Sequence, residues 1–78
     1  MAEYKVDVEF DCRGLSCPLP VLKTKKAMDG LASGKVLKLI ATDPGSVNDM
    51  AAWTRRTGNA LLDSEKQVGE FVFYIRKK

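Results

Sequence analysis

The chain reads as a two-layer α/β sandwich with element order βαβαββ, and three observations predict it. Residues 4–10 alternate apolar and polar without error, the period of a half-buried strand. Two segments of helical periodicity, 18–31 and 47–57, are each followed by a strand-like run. Two further strand-like runs, closed by a turn at 66–69, end the chain as a hairpin. Crossovers through helices place both helices on one face of a single sheet.

Each element has a local cause. Tyr4, Val6, Val8 and Phe10 share one face of the first strand. Asp11-Cys12-Arg13-Gly14 is turn-like, and Pro18 and Pro20 mark a helix start, because first-turn amides have no intrahelical partner and proline's φ already suits the helix. Val21, Thr24, Met28 and Leu31 form that helix's inner stripe, while Leu19, Lys23 and Lys26 share another face. Gly34 breaks the chain before a strand at 35–42, and Asp43-Pro44-Gly45 turns it. Ser46 with Asp49 resembles a capping box, and Val47, Met50, Ala51 and Thr54 should face inward. Trp53 falls off that stripe and reads as a core or boundary aromatic, with an interface role as the alternative. Gly58 supplies a left-handed helix terminator. Strands at 59–64 and 70–76 follow, the latter alternating Phe71, Phe73 and Ile75.

Composition narrows the function. At 78 residues the chain, 1–78, reads as one domain with a modest core. No stretch is apolar enough to span a membrane, and the first residues lack a secretory pattern, so a cytoplasmic location with reduced thiols is expected. With no histidine and two cysteines, triad hydrolysis and a closed zinc site are improbable; no metal and no cofactor are expected. Net charge is +3, much of the excess lying in Lys23, Lys25 and Lys26 and in the tail Arg76-Lys77-Lys78. A solvated surface and a positive rim steering an acidic partner towards a thiol are both consistent with this pattern.

Chemistry points to Cys17. It stands at the mouth of the expected helix, where unpaired amides favour the thiolate, the nucleophilic form. The loop from a strand end into a helix places it at the carboxyl end of the strands. Pro18 and Pro20 set the entry geometry, and Gly14 provides a backbone conformation closed to other residues. Asp11 either holds the loop through backbone amides or is solvated. Arg13 supports the thiolate or a partner contact, or is exposed and mobile. Cys12 is either a small buried residue at a strand end or a resolving thiol for Cys17. Asp43-Pro44 reads as a structural turn.

The run Asp11-Cys12-Arg13-Gly14-Leu15-Ser16-Cys17-Pro18-Leu19-Pro20 resembles the signature of the TusA/SirA-like sulfur-carrier family. Gly34, Asp43-Pro44, Trp53, Gly58 and the closing strand extend the resemblance over almost the whole chain. The resemblance implies a four-stranded mixed sheet. It also implies a sulfurtransferase-type carrier whose Cys17 takes sulfane sulfur as a persulfide from a donor protein, of cysteine desulfurase or rhodanese type. An acceptor protein then receives it, through transient complexes of a monomer, without membrane or direct nucleic-acid contact. Leu19, Lys23 and Lys26 would help a partner dock. Destinations implied are tRNA thiolation, molybdenum-cofactor assembly or sulfur oxidation; Leu19 at the variable motif position leans towards a sulfur-metabolism relay. The Cys12 position is not called for by the family motif. The alternative reading is a small basic regulatory or RNA-binding module with a structural Cys17.

Overall fold

A computed structural model of the protein describes residues 5–16 and 19–78. The elements are β1 (Val8–Cys12), α1 (Leu19–Asp29), β2 (Val36–Ala41), α2 (Ser46–Thr57), β3 (Ala60–Gln67) and β4 (Glu70–Arg76). The sheet has four strands in the order β1-β2-β4-β3. β1 runs parallel to β2, while β4 is antiparallel to both of its neighbours. The sheet is therefore mixed, and the order βαβαββ is as expected. Among the described residues no helix is long and apolar enough to cross a membrane.

The core lies between the helices and one sheet face. Leu37, Leu39 and Ala41 alternate into it from β2, and Phe73 and Ile75 from β4; all are fully buried. Met28 closes it from α1 and Met50 and Trp53 from α2. Trp53 is 4% exposed, which settles it as a core aromatic; its ring reaches inward from beside the strict stripe. Thr24 and Thr54 are buried polar residues. Their hydroxyls donate to the carbonyls of Pro20 at 2.7 Å and Met50 at 2.9 Å, so neither is left unsatisfied.

Several boundaries differ from expectation for identifiable reasons. The first strand spans Val8–Cys12, since pairing with β2 sets its limits: Val8 lies opposite Leu37 and Cys12 opposite Ala41. Of the earlier residues expected in it, Tyr4 lies outside the described residues and Val6 is exposed. Asp7 closes the lower end instead. Its amide donates to the Val36 carbonyl at 2.9 Å, and its carboxylate accepts the Val36 amide at 2.9 Å. β3 continues to Gln67 rather than stopping at Ser64, because its ladder with β4 runs on to the Gln67–Glu70 pair. The Ser46–Asp49 capping box does not form. The Ser46 hydroxyl donates backwards to the Asp43 carbonyl at 2.6 Å, and α2 starts without a side-chain cap. Gly58 ends α2 as expected, with φ 80° and its amide donating to Thr54.

The strand directions decide where charge ends up. β4 finishes beside the start of β2, with Arg76 opposite Val36. The Lys77 ammonium donates to the Met28 carbonyl at 2.7 Å, at the C-terminal end of α1. The tail therefore lies at the opposite end of the molecule from the C-terminus of β1. This corrects the expectation that the tail contributes to a positive rim around the loop that leads to Cys17.

Phe73→Ala should cost about 3–5 kcal/mol, the usual range for truncating a buried phenylalanine, as measured by urea unfolding followed through Trp53 fluorescence. A loss below about 1 kcal/mol would contradict a core centred on β4.

Candidate functional site

The site is assembled where β1 and β2 end side by side. Asp11 and Cys12 are the last two residues of β1, so strand alternation sends their side chains to opposite faces of the sheet. Cys12 turns into the core and is fully buried. Asp11 turns outward and is exposed. The chain then reverses in a tight turn, the Leu15 amide donating to the Cys12 carbonyl at 3.2 Å. Gly14 occupies its third position with φ 81°, a left-handed conformation that side-chain-bearing residues rarely adopt. No atom lies within 4 Å of where a Cβ would stand. Backbone conformation, not crowding, is thus what requires glycine here.

Three groups fix this turn to the rest of the fold. The Asp11 carboxylate accepts the Arg13 amide at 2.9 Å, making the loop-holding bond expected of it. It also accepts the Arg13 guanidinium in bidentate fashion, from Nε at 3.0 Å and Nη2 at 2.9 Å. Arg13 Nη1 reaches Glu70 at 3.3 Å. An exposed, mobile arginine is accordingly not what the structure shows: Arg13 is exposed, but it is held between two carboxylates. The Gly14 amide donates to the Thr42 hydroxyl at 2.9 Å, tying the loop after β1 to the loop after β2. Hydrogen bonds from the Arg13 side chain and then from its amide pull the Asp11 carboxyl down to about 2. The same pairing raises Arg13.

Cys17 and Pro18 lie outside the described residues. The residues on either side are described: the Leu19 amide donates to the Ser16 carbonyl at 2.9 Å, and α1 begins at Leu19, two positions after Cys17 in the chain. Pro20 is buried within the first turn. Leu19 is 43% exposed, and Leu22, one helical turn on, is 52% exposed. Together with Lys23 and Lys26, both exposed, they form an apolar and basic stripe on α1 that begins two residues after Cys17. Leu22 was legible in the sequence as the residue at i+3 from Leu19. Glu70 and Thr42 were not, because their approach to Arg13 and Gly14 is made only by the sheet.

Burial pushes the Cys12 thiol up, with Asp11 adding to the effect and Lys23 opposing it. A buried, protonated thiol is inert. These observations favour Cys12 as a core residue over a resolving thiol.

Two outcomes follow from this geometry. The folded-state pKa of Asp11 lies below its ordinary 3.8, so its stabilising contribution is whole above that pH. It is lost as pH falls towards about 2. Asp11→Asn should therefore flatten the acid limb of the stability profile slightly in that window; an Asp11 carboxyl that titrates at its ordinary 3.8 in a carboxyl-resolved NMR titration would refute the Asp11–Arg13 pairing. In a Cys17→Ser background, Cys12 should resist iodoacetamide in native buffer and react fully in denaturant. Rapid native labelling would mean that the thiol is reachable.

Comparison with known proteins places this geometry in a family. A family model described as sulfurtransferase TusA matches residues 8–77. A protein of Allochromatium vinosum named sulfur carrier protein TusA is 49% identical over 77 residues, covering 99% of each chain. One of the same name from Pseudomonas putida is 37% identical over 78 residues, covering 100% of this chain and 98% of its own. The crystal structure of a SirA-like protein from Desulfitobacterium hafniense has a TM-score of 0.78 and 25% identity, covering 88% of this chain and 95% of that one. The chain, a βαβαββ sandwich whose sequence carries the Cys-Pro-x-Pro motif after the Gly14 turn, belongs to the TusA sulfurtransferase family.

Proposed function

We propose that this protein is a sulfur carrier whose Cys17 is loaded as a persulfide and unloaded onto an acceptor protein. The observation that carries the reading is the family match, which spans the Cys-Pro-x-Pro helix start and includes relatives named sulfur carriers. Loading needs no cofactor. The Cys17 thiolate attacks the outer sulfur of a donor persulfide, a new S–S bond forms, the donor's S–S bond breaks, and the donor leaves as a thiolate. Unloading is the same exchange in reverse sense: an acceptor thiolate attacks the terminal sulfur and Cys17 departs as a thiolate. No net oxidant or reductant is consumed.

The chain's own residues contribute position. Asp11, Arg13 and Glu70 hold the turn that leads to Cys17, Gly14 and Thr42 anchor it to β2, and Pro20 seats the start of α1. Cys12 serves as core. Leu19, Leu22, Lys23 and Lys26 form the docking stripe, apolar at its start and cationic along its length. That composition suits a donor or acceptor protein with an acidic rim. The chain would work as one domain and as a monomer in the cytoplasm, through transient complexes in a sulfur-metabolism relay.

Intact-mass spectrometry after exposure to polysulfide tests the assignment. One added sulfur, removed by dithiothreitol and absent from Cys17→Ser but retained in Cys12→Ser, is the expected result. Loading that follows Cys12, or none in the wild type, would overturn it.

A further inference from the structure

Charge in this fold is sorted along the strand direction. At the end where β1 and β2 terminate stand Asp11, Asp43, Asp49, Glu65 and Glu70, against Arg13, Lys23 and Lys66. At the opposite end stand Lys35, Arg55, Arg56, Arg76, Lys77 and Lys78, against Asp7 and Asp29. The chain's +3 charge thus conceals an acidic end that carries the loop to Cys17 and a strongly basic end remote from it.

The cations at the basic end are largely uncommitted. Lys35 approaches Asp7 at 3.9 Å, and Lys77 caps α1 through the Met28 carbonyl. Arg55, Arg56, Arg76 and Lys78 form no ion pair among the described residues. Placement at the end of α2 gives Arg55 and Arg56 a favourable helix-dipole interaction. The Lys78 side chain, which lies against Gly58 at the same helix end, shares that interaction; Arg76 at the end of β4 does not. Arg13, at the acidic end, shows the contrast, being bound by two carboxylates.

Against the expectation of no direct nucleic-acid contact, we propose that this basic end binds the phosphate backbone of nucleic acid, without reading sequence, while the Cys17 end remains free for protein partners. The surface chemistry separates this occupant from an acidic protein. Protein interfaces carry an apolar core inside a polar rim. Among the described residues, the exposed large apolar side chains of Leu19, Leu22 and Val68 lie away from this end, and only Val6, at 36% exposure, is near it. Trp53 touches the surface only at the floor of a pocket beside Lys77 and Lys78 and, at 4% exposure, is too buried to stack on a base. Among the described residues this end offers mainly charge, with Tyr74 of β4 half-buried beside it and already faced by Lys38; that composition suits phosphate contacts. The end belongs to a body of 30 × 27 × 19 Å, wide enough for several phosphates in succession. Four phosphate contacts on single-stranded RNA imply a log–log salt slope of about −3, a fall in affinity of about 50-fold between 50 and 200 mM salt.

Fluorescence anisotropy with an end-labelled single-stranded RNA oligonucleotide tests this, using the full chain. Wild type and two double charge reversals of equal net charge are compared: Arg55→Glu with Arg56→Glu at the basic end, and Lys23→Glu with Lys66→Glu at the other. Expected are the steep salt dependence and a loss of about tenfold or more in the first variant only. The first variant should still load sulfur from polysulfide, which separates this proposal from the carrier assignment. Absence of binding at 25 mM salt, equal losses in the two variants, or tighter binding of a poly-glutamate probe than of RNA would each overturn it. The last result would give the surface to an acidic protein instead.

Discussion

The parallel pairing of β1 with β2 is the constraint on which the remaining architecture depends. Antiparallel neighbours can be joined by a short hairpin, but a parallel pair requires a crossover, and α1 is that crossover. Both strands then end at the same edge of the molecule, so the loops after them must meet. Gly14 finds the Thr42 hydroxyl for this reason, although 28 residues separate them. Insertion of β4 beside β2 in the opposite sense brings Glu70 to the same edge, within reach of Arg13. Asp7 fixes the other extremity of the pair by exchanging two hydrogen bonds with Val36. A slip of one residue there would turn Cys12 out of the core and Asp11 into it.

That same geometry sorts the charges. Both helices run from the site edge towards the far edge, and so does β4. Every basic residue near a helix C-terminus or in the tail is carried away from the site. The acidic residues at helix starts and at the β3–β4 turn are carried towards it. Lys23 is an exception among the α1 lysines, close enough to act on the Cys12 thiol. A linear reading of the sequence counts Lys23, Lys25, Lys26 and the tail as one basic excess. In space they belong to different ends.

Local signals in the sequence were sufficient for element type and order, and insufficient where a partner strand decides. Alternation identified the first strand, but its limits came from the partner residues Leu37 and Ala41. The third strand looked complete at Ser64 because residues 66–69 read as the turn; cross-strand pairing with β4 takes up Lys66 and Gln67 and extends it. Ser46 carried a capping signature, yet its hydroxyl was already committed to the Asp43 carbonyl by the preceding turn. At the site, Asp11 and Gly14 were legible through turn chemistry, whereas the pairing of Arg13 with Asp11 was not. Glu70 was not, lying 57 residues from Arg13. Cys12 was legible as a choice between two roles, and the alternation that continues past Phe10 into the core favours the structural one.

The Asp11–Arg13–Glu70 network is exposed, with Arg13 at 53% and Asp11 at 54% side-chain accessibility. Exposed ion pairs contribute little to stability. Its consequence is better sought in orientation. A bidentate guanidinium has a fixed plane, and here that plane is set by Asp11 within the turn and by Glu70 on a separate strand. The turn therefore cannot swing about the end of β1 without breaking a contact to β4. A stiff core alone does not fix the segment that follows β1; that segment must be made to leave the sheet in one direction. In this fold a surface network of small energetic weight supplies that direction, and the buried residues beneath it supply the stability.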